Sequence, residues 1–320
     1  MDVLGIDVSK ADFHACLLQG KNRARKSFPN SPAGYRRLSS WLKNRKSGKI
    51  HACMEATGAY WLGLAAALHQ SGARVSVVNP ARTVMFARSQ LRRTKTDRVD
   101  AEMIAEFCQT QQPDCWTPPA KEILELRGLL SYRTHLVENR SRLKQLVSQV
   151  QASKELKKLH AKQLKTLDQS IVAVEKQLQM VVKAHRTMAR LVEALTTVKG
   201  FGLISAASIV AKTPLQRLRN EKAVGSYLGL APSERQSGTS VHGKPRICKT
   251  GNASLRRDLY MPAAVAMRYN PILKAFADRL KAKGKPPKVV LVAVMRKLAV
   301  LAFRIMKSTL RTLEPSVVLC

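Results

Sequence analysis

The chain has 320 residues, of which 45% are hydrophobic, so it is long enough for two or three domains with buried cores and is not a disordered tail. Lys and Arg number 56 against 21 Asp and Glu, and the formal charge of +35 favours a polyanionic partner, nucleic acid before an anionic membrane surface. Neither a signal-peptide pattern nor a membrane-spanning apolar run is present, which predicts a cytoplasmic protein.

Strand and helix patterns alternate through residues 1–120. The opening segment mixes apolar and polar residues around a turn-like SKAD, which predicts a hairpin running into a third strand near ARKSF. A Ser-Pro start predicts a helix from residue 31, and buried strands are predicted at 50–55 and 74–79, with a helix closed by Gly72 between them. From residue 98 the pattern is helical. These elements predict an α/β sheet.

Residues 121–190 are almost free of Gly and Pro and carry apolar residues at helical intervals. This pattern predicts one or two long helices that form a coiled-coil linker and an oligomerisation contact. A second interpretation, in which the helices pack on their own domain, stays open.

Residues 191–320 are predicted to form a third, mainly helical domain. The segment LTTVKGFGLISAASIVAKT resembles a helix-hairpin-helix, in which Gly200 and Gly202 leave helix N-terminal amides able to hold a phosphate. From Val241 onward there are 17 Lys or Arg against 3 acids, which predicts a polyanion-binding surface that includes Lys244 and Arg246. A solvated basic face is the alternative.

Six scattered cysteines contain no CxxC pair. This spacing fits neither a zinc ribbon nor a disulfide framework, so we expect reduced, mainly buried thiols.

Acidic residues are sparse in the first third of the chain. Between Asp12 and Asp97 the one acid is Glu55, which ends the apolar strand IHACME, and Asp7 lies inside the apolar run VLGIDV. A buried carboxylate is costly unless a cation or a proton compensates it. Asp97 and Asp100 are three residues apart, so a helix presents them on one side. They also suit a helix N-terminus, an interpretation that does not account for Asp7 or Glu55.

Together these four carboxylates would form a cluster of hard oxygen donors in a positive surround. Such a set suits two Mg²⁺ ions that activate an attacking oxygen and stabilise the leaving oxygen of a phosphodiester. Candidate phosphate contacts are the nearby basic residues Lys10, Arg92, Arg93, Lys95 and Arg98.

Several motifs in order carry a family resemblance: GIDVSK, MEATGAYW, RTKTDRVDAEMIAEFC, LGLAPSERQSGTSVHGK and GNASLRRDLYMPA. The chain resembles the insertion-sequence family one hundred and ten, the DEDD transposases that include the Piv-type DNA invertases. The resemblance implies an RNase H fold like that of the RuvC Holliday-junction resolvase for residues 1–120. It also implies that Asp7, Glu55, Asp97 and Asp100 are the acidic tetrad of the family.

The resemblance further implies a catalytic serine in QSGTS, assigned to Ser237, with Ser240 as the alternative. A serine needs a base or a metal to attack phosphorus, and its product is a covalent serine–DNA link. Arg256 and Arg257 in SLRRDLY are candidate clamps for the scissile phosphate, with a solvated or Asp258-paired role as the alternative.

These features predict a DNA transposase that excises and inserts its own element. By resemblance we expect a structured noncoding bridge RNA as guide, a homodimer that assembles into a tetramer on DNA, and an association with the bacterial nucleoid. The serine acts in its own or a neighbouring protomer. Two other classes stay open: a RuvC-like nuclease or Holliday-junction resolvase that uses water, and a non-catalytic nucleic-acid-binding protein. The sequence does not specify the DNA targets or the guide.

Overall fold

The computed structural model describes residues 1–90, 97–149, 153–233, 236–237, 241–242 and 246–313, with the backbone alone for residues 97–99, 149, 236–237 and 241–242. Within them the chain forms two compact units, Met1–Pro119 and Ala120–Cys320. Each unit has its own hydrophobic core.

The first unit is built on a mixed five-stranded sheet of order β3-β2-β1-β4-β5. Its strands are β1 (Asp2–Val8), β2 (Asp12–Gln19), β3 (Asn22–Pro29), β4 (Ile50–Glu55) and β5 (Arg74–Val78). The first three are antiparallel, whereas β4 and β5 run parallel to β1. The predicted hairpin-first α/β sheet is therefore confirmed.

Four helices cover this sheet: α1 (Pro32–Asn44), α2 (Trp61–Gln70), α3 (Pro80–Ser89) and α4 (Asp97–Gln111). Helices α1 and α3 each begin with a proline whose preceding residue, Ser31 or Asn79, caps the helix through its side chain. Such caps satisfy amides that the first turn leaves without partners. The two helix starts are thus fixed locally.

The two faces of the sheet bury different residues. Alternate side chains such as Leu4, Ile6 and Met54 join the core beneath α1 and α2. The opposite face buries Val3 and Cys53 with the apolar residues of α4. Because strand side chains alternate between faces, Asp7 and Glu55 belong to the face that α4 covers.

Helix α4 lies unusually close to β1. A Cβ atom on Gly5 would lie 2.2 Å from the carbonyl oxygen of Ala101 and 2.3 Å from the amide nitrogen of Ala105. On the edge strand β3, Arg23 and Arg25 form salt bridges with Glu102 of the same helix. The absence of a side chain at residue 5 therefore permits the approach, and ion pairs help to fix it.

The second unit is mainly helical, as expected. Its helices are α5 (Lys121–Gln149), α6 (Lys154–Ala184), α7 (Arg186–Thr196), α8 (Leu203–Lys212), α9 (Glu221–Tyr227), α10 (Ala253–Asp258), α11 (Tyr260–Tyr269), α12 (Pro271–Ala282) and α13 (Pro287–Leu313). Two-residue strands also occur: β6 (Pro232–Ser233) with β9 (Arg246–Ile247), and β7 (Gln236–Ser237) with β8 (Val241–His242).

The long helices α5 and α6 pack along each other and into this unit. Leu126 and Leu130 of α5 and Leu178 of α6 belong to the same hydrophobic cluster as α7, α8 and α13. Nearer the tip of the helix pair, Leu146 and Leu159 are exposed. The base of the pair is therefore part of the core, whereas its apolar tip lies open.

None of the helices in the described part of the chain is both long and apolar enough to cross a bilayer.

The close approach at Gly5 makes a stability prediction. Gly5→Ala should lower the free energy of unfolding by about 3 kcal/mol, because the added carbon has no room against the α4 backbone. Gly48→Ala is the control, since a Cβ there meets nothing within 4 Å, and it should change stability by less than about 0.5 kcal/mol. Urea unfolding measures both, and equal effects would contradict the packing argument.

Candidate active site

Two carboxylates lie side by side at the carboxyl ends of neighbouring parallel strands. The register pairs Ile6 of β1 with Met54 of β4, and Asp7 and Glu55 are the next residues on each strand. Both lie on the α4 face, since Val3 and Cys53 of the same strands are buried there. The carboxyl ends of parallel strands are the usual place for ligand sites in α/β sheets.

Helix α4 supplies the next carboxylate. Asp100 precedes Ala101, whose carbonyl lies over Gly5, and Asp100 is partly buried. Because Gly5 and Asp7 share a strand face, the start of α4 lies over the same part of the sheet. Asp97 is the first residue of α4, but its side chain is outside the described set. Asp7, Glu55 and Asp100 thus share one face.

A divalent metal fits the donor chemistry of this face, because carboxylate oxygens are the ligands Mg²⁺ prefers. Among the described side chains, however, no three His, Cys, Asp or Glu are grouped closely enough to hold a metal. The cluster predicted from the sequence has Asp97 as its fourth member, and that side chain falls outside the search. The structure therefore places Asp7, Glu55 and Asp100, and metal binding by the four carboxylates stays a prediction.

A buried hydroxyl orients Glu55. Thr83 of α3 is fully buried and donates a hydrogen bond of 2.5 Å to Glu55 Oε1, with the Pro80 carbonyl as a second acceptor at 2.8 Å. Charge-assisted bonds of this kind hold a carboxylate in one rotamer. Thr83 was not predicted from the sequence. The feature that could have pointed to it is its position one turn after the Asn-Pro start of α3.

An imidazole also lies beside the carboxylates. In the antiparallel register His14 of β2 is the partner of Asp7, and Cys16 of the same strand is buried on the α4 face. His14 therefore projects to the side of the sheet that carries Asp7. Sequence reasoning missed it because a single His in a strand has no motif, and strand register is needed to place it.

Thiols lie beneath the site. Cys16, Cys53 and Cys108 are free and buried, as expected, whereas Cys115 is exposed. A hydrogen bond with Cys53 lowers the pKa of the Cys108 thiol, and the same bond together with burial raises the pKa of Cys53. The two thiols lie in the apolar layer between β4 and α4, so their protonation is coupled.

The predicted basic contacts near the carboxylates are only partly described. Lys10 is exposed in the turn between β1 and β2. Arg98 is in the first turn of α4, with its side chain outside the described set, and Arg92, Arg93 and Lys95 lie outside the described residues. Their phosphate contacts stay predictions.

The predicted serine lies in the second unit. Ser237 is in β7 and pairs with Val241 of β8, so its backbone belongs to a small hairpin. Its side chain, together with Ser240 and Lys244, lies outside the described residues. Its role as nucleophile stays a prediction.

The glycine turn between α7 and α8 has a packing reason of its own. Gly200 has φ +125°, and a Cβ there would lie 2.8 Å from the Pro262 carbonyl oxygen. The amide of Gly202 is already bonded to Ser205 Oγ at 3.0 Å. Tight packing therefore accounts for Gly200, while phosphate contact at this turn stays a prediction.

The arginines of the second unit that were predicted to contact nucleic acid have different surroundings. Arg256 donates to the Leu228 carbonyl at 2.8 Å, so it anchors a loop. Arg257 is exposed and lies 3.3 Å from Glu138 and 3.8 Å from Asp258. Arg246 is exposed in β9. Arg257 and Arg246 are thus accessible to a polyanion.

Two family models cover most of the chain. A model described as a DEDD transposase matches residues 4–152, and one described as "Transposase IS116/IS110/IS902 family" matches residues 192–278. The chain is also 30% identical to the pilin gene-inverting proteins of Moraxella bovis and of Moraxella lacunata, over 95% of this chain and 95% of each relative.

The chain belongs to the IS116/IS110/IS902 family of transposases. Members of this family are DNA recombinases, so this chain is an enzyme of DNA strand exchange. Among solved structures it is similar to T. thermophilus RuvC in complex with a Holliday junction substrate. That similarity has 13% sequence identity and a TM-score of 0.28, over 35% of this chain and 96% of that chain.

The bond from Thr83 to Glu55 makes a prediction for the transposase. Thr83→Val keeps the shape but removes the donor, so Glu55 loses its orientation, and the Mg²⁺ concentration for half-maximal DNA cleavage should rise about tenfold. Thr83→Ser, which keeps the hydroxyl, should stay near wild type. A Val variant with unchanged metal dependence would show that Thr83 serves packing alone.

Proposed function

We propose that this transposase excises and inserts its element at a two-Mg²⁺ site held by Asp7, Glu55, Asp97 and Asp100, with Ser237 as nucleophile. The observation that carries the proposal is the placement of Asp7 and Glu55 on adjacent parallel strands beneath α4, which bears the other two acids. The proposal includes an RNase H-like, RuvC-like class for this sheet, supported by its antiparallel start and mixed strand order.

The residues would divide the chemistry as follows. Bound Mg²⁺ would supply Lewis-acid stabilisation of the charge that develops on the scissile phosphate. The carboxylates would hold the ions, and the hydrogen bond from Thr83 would keep Glu55 in place. The Ser237 oxygen would attack phosphorus as its proton passes to solvent, the bond to the departing strand oxygen would break, that oxygen would take up a proton from solvent, and a serine–DNA ester would form. The hydroxyl of a new DNA strand would then attack the phosphorus of this ester and release the serine. One phosphodiester bond would thus be replaced by another without net hydrolysis.

The excess of positive charge supports two nucleic-acid partners. A formal charge of +35 suits a protein that binds two polyanions, DNA together with a structured bridge RNA. The helix-hairpin-helix class proposed for α7 and α8 would add one backbone contact at Gly200 and Gly202. The protein would then act on DNA of the bacterial nucleoid.

Strand exchange requires several active sites at once, so we propose a homodimer that assembles into a tetramer on DNA. The exposed apolar residues near the tip of the α5–α6 pair, Leu146 and Leu159, support a contact between protomers there. Whether Ser237 serves its own carboxylates or those of a neighbour is a separate question for mixed-protomer assays.

The serine assignment predicts a trapped intermediate. Ser237→Ala should abolish the covalent protein–DNA adduct, because the attacking oxygen is removed, whereas Ser240→Ala should keep it. Denaturing gels of protein with labelled element-end DNA measure the adduct. Loss of the adduct in the Ser240 variant instead would transfer the role to that residue, and continued cleavage by Ser237→Ala would favour a nuclease that uses water.

The metal assignment predicts loss of chemistry with retained binding. Asp7→Asn and Asp100→Asn should each reduce DNA cleavage at least about a hundredfold, because one carboxylate of the set is neutralised. The control is Asp278→Asn, since Asp278 pairs with Lys281 on the surface of α12, and it should cleave like wild type. Unchanged cleavage in both site variants would contradict the metal assignment, whereas DNA binding without cleavage by the wild type would favour a non-catalytic binding protein.

A further inference from the structure

Helix α5 carries a stripe of polar side chains that is separate from the active-site carboxylates. They follow one face of the helix, because each lies three or four residues from another member of the set: Arg127, Ser131, Thr134, His135 and Glu138. The adjacent face is apolar, and Leu126 and Leu130 are buried in the core. Polar side chains next to a buried apolar face usually lie on a solvated surface. The polar stripe of α5, however, borders a cavity.

The cavity has a volume of about 530 Å³, within the range of small-molecule sites. Its other walls come from the end of α8, from α9 and from α10, through residues that include Lys212, Tyr227, Asn252 and Arg257. The Asn252 amide donates to the Tyr227 hydroxyl at 3.2 Å, which in turn donates to the Lys212 carbonyl at 3.1 Å. The walls are therefore held in place by hydrogen bonds.

The charges of the lining favour an anion. Three cations, Arg127, Lys212 and Arg257, face one acid, Glu138. Asp258 lies behind the lining, 2.5 Å from Lys212 and 3.8 Å from Arg257, so three cations stand against two acids and the lining keeps a net positive charge.

Arg127 is partly buried, and burial lowers the pKa of its guanidinium. Its one hydrogen bond to a described residue runs from Nε to the Ala211 carbonyl at 2.7 Å, leaving its terminal nitrogens for another acceptor. Glu138 lies 3.3 Å from exposed Arg257, and such surface pairs are weak and easily exchanged.

We propose that this cavity binds one nucleotide of a nucleic-acid strand, with its phosphate contacting Arg127 and Arg257. The Tyr227 ring offers a surface for base stacking, and hydroxyls such as those of Ser131 and Thr134 offer hydrogen bonds to sugar and phosphate oxygens. The proposal rests on the nucleic-acid partner proposed above but not on the carboxylate or serine chemistry. Either DNA or RNA supplies the same phosphodiester.

The test measures binding without chemistry. Anisotropy of labelled single-stranded DNA and RNA oligonucleotides of one sequence is followed in EDTA over a series of salt concentrations. Ser131→Asp places a negative charge in the cavity and should weaken binding about tenfold. Ser141→Asp adds the same charge to an exposed position of α5 about one turn beyond Glu138 that does not line the cavity, and it should bind like wild type, apart from a small general charge effect.

Two further variants separate recognition from folding. Arg257→Gln should weaken binding and reduce the salt slope by about one, whereas Arg190→Gln, on the surface of α7, should not. Glu138→Gln removes the competing carboxylate and should strengthen binding about threefold, a gain that a misfolded variant does not give.

The outcomes for the two oligonucleotides identify the occupant. Effects with RNA alone assign the cavity to the guide, effects with DNA alone assign it to the element or target, and effects with both support the shared chemistry. The proposal is overturned if Ser131→Asp and Ser141→Asp have the same affinity and Glu138→Gln does not bind either oligonucleotide more tightly. It is also overturned if the wild type binds neither oligonucleotide. Failure of the Ser237 adduct assay leaves these binding results intact, so the two hypotheses fail independently.

Discussion

The site depends on the backbone contact between α4 and β1 at Gly5. Helix α4 is acidic at its start and apolar along the side that faces the sheet, and Gly5 lets its backbone reach the strand. Because the helix backbone lies this close to β1, Asp100 lies over the sheet face that carries Asp7 and Glu55. A larger residue 5 would push the helix away from the strand, and the metal site proposed for these carboxylates requires Asp100 to stay close to the sheet.

The elements of the first unit were predictable because each has a local signal. The hairpin, the buried strands and the helix that begins Ser-Pro follow from alternation and capping, and the structure has them where the sequence indicates. Helix α3, which begins Asn-Pro, was not predicted. The close approach of α4 was not predictable, since Gly5 in the apolar run VLGIDV resembles any small strand residue. Its role appears only when the helix that packs on it is known.

The site was predictable in part for the same reason. Asp7 and Glu55 are conspicuous as isolated acids in apolar strands, and their adjacency follows from the parallel register of β1 and β4. Thr83 and His14 become visible only through tertiary contact and strand pairing. The polar stripe of α5 is present in the sequence, but its partners on α8, α9 and α10 are about 75 to 130 positions further along the chain. No local pattern brings such residues together.

The central claim is that the α4 face of the sheet holds divalent metal. Hydroxyl-radical mapping tests it directly: Fe²⁺ is bound in place of Mg²⁺, ascorbate and peroxide are added, and the positions of backbone cleavage are read by mass spectrometry. We predict cuts near residues 7, 55 and 97–100 that excess Mg²⁺ suppresses and that Asp7→Asn removes. Cuts confined to other segments, or cuts that Mg²⁺ does not suppress, would contradict it.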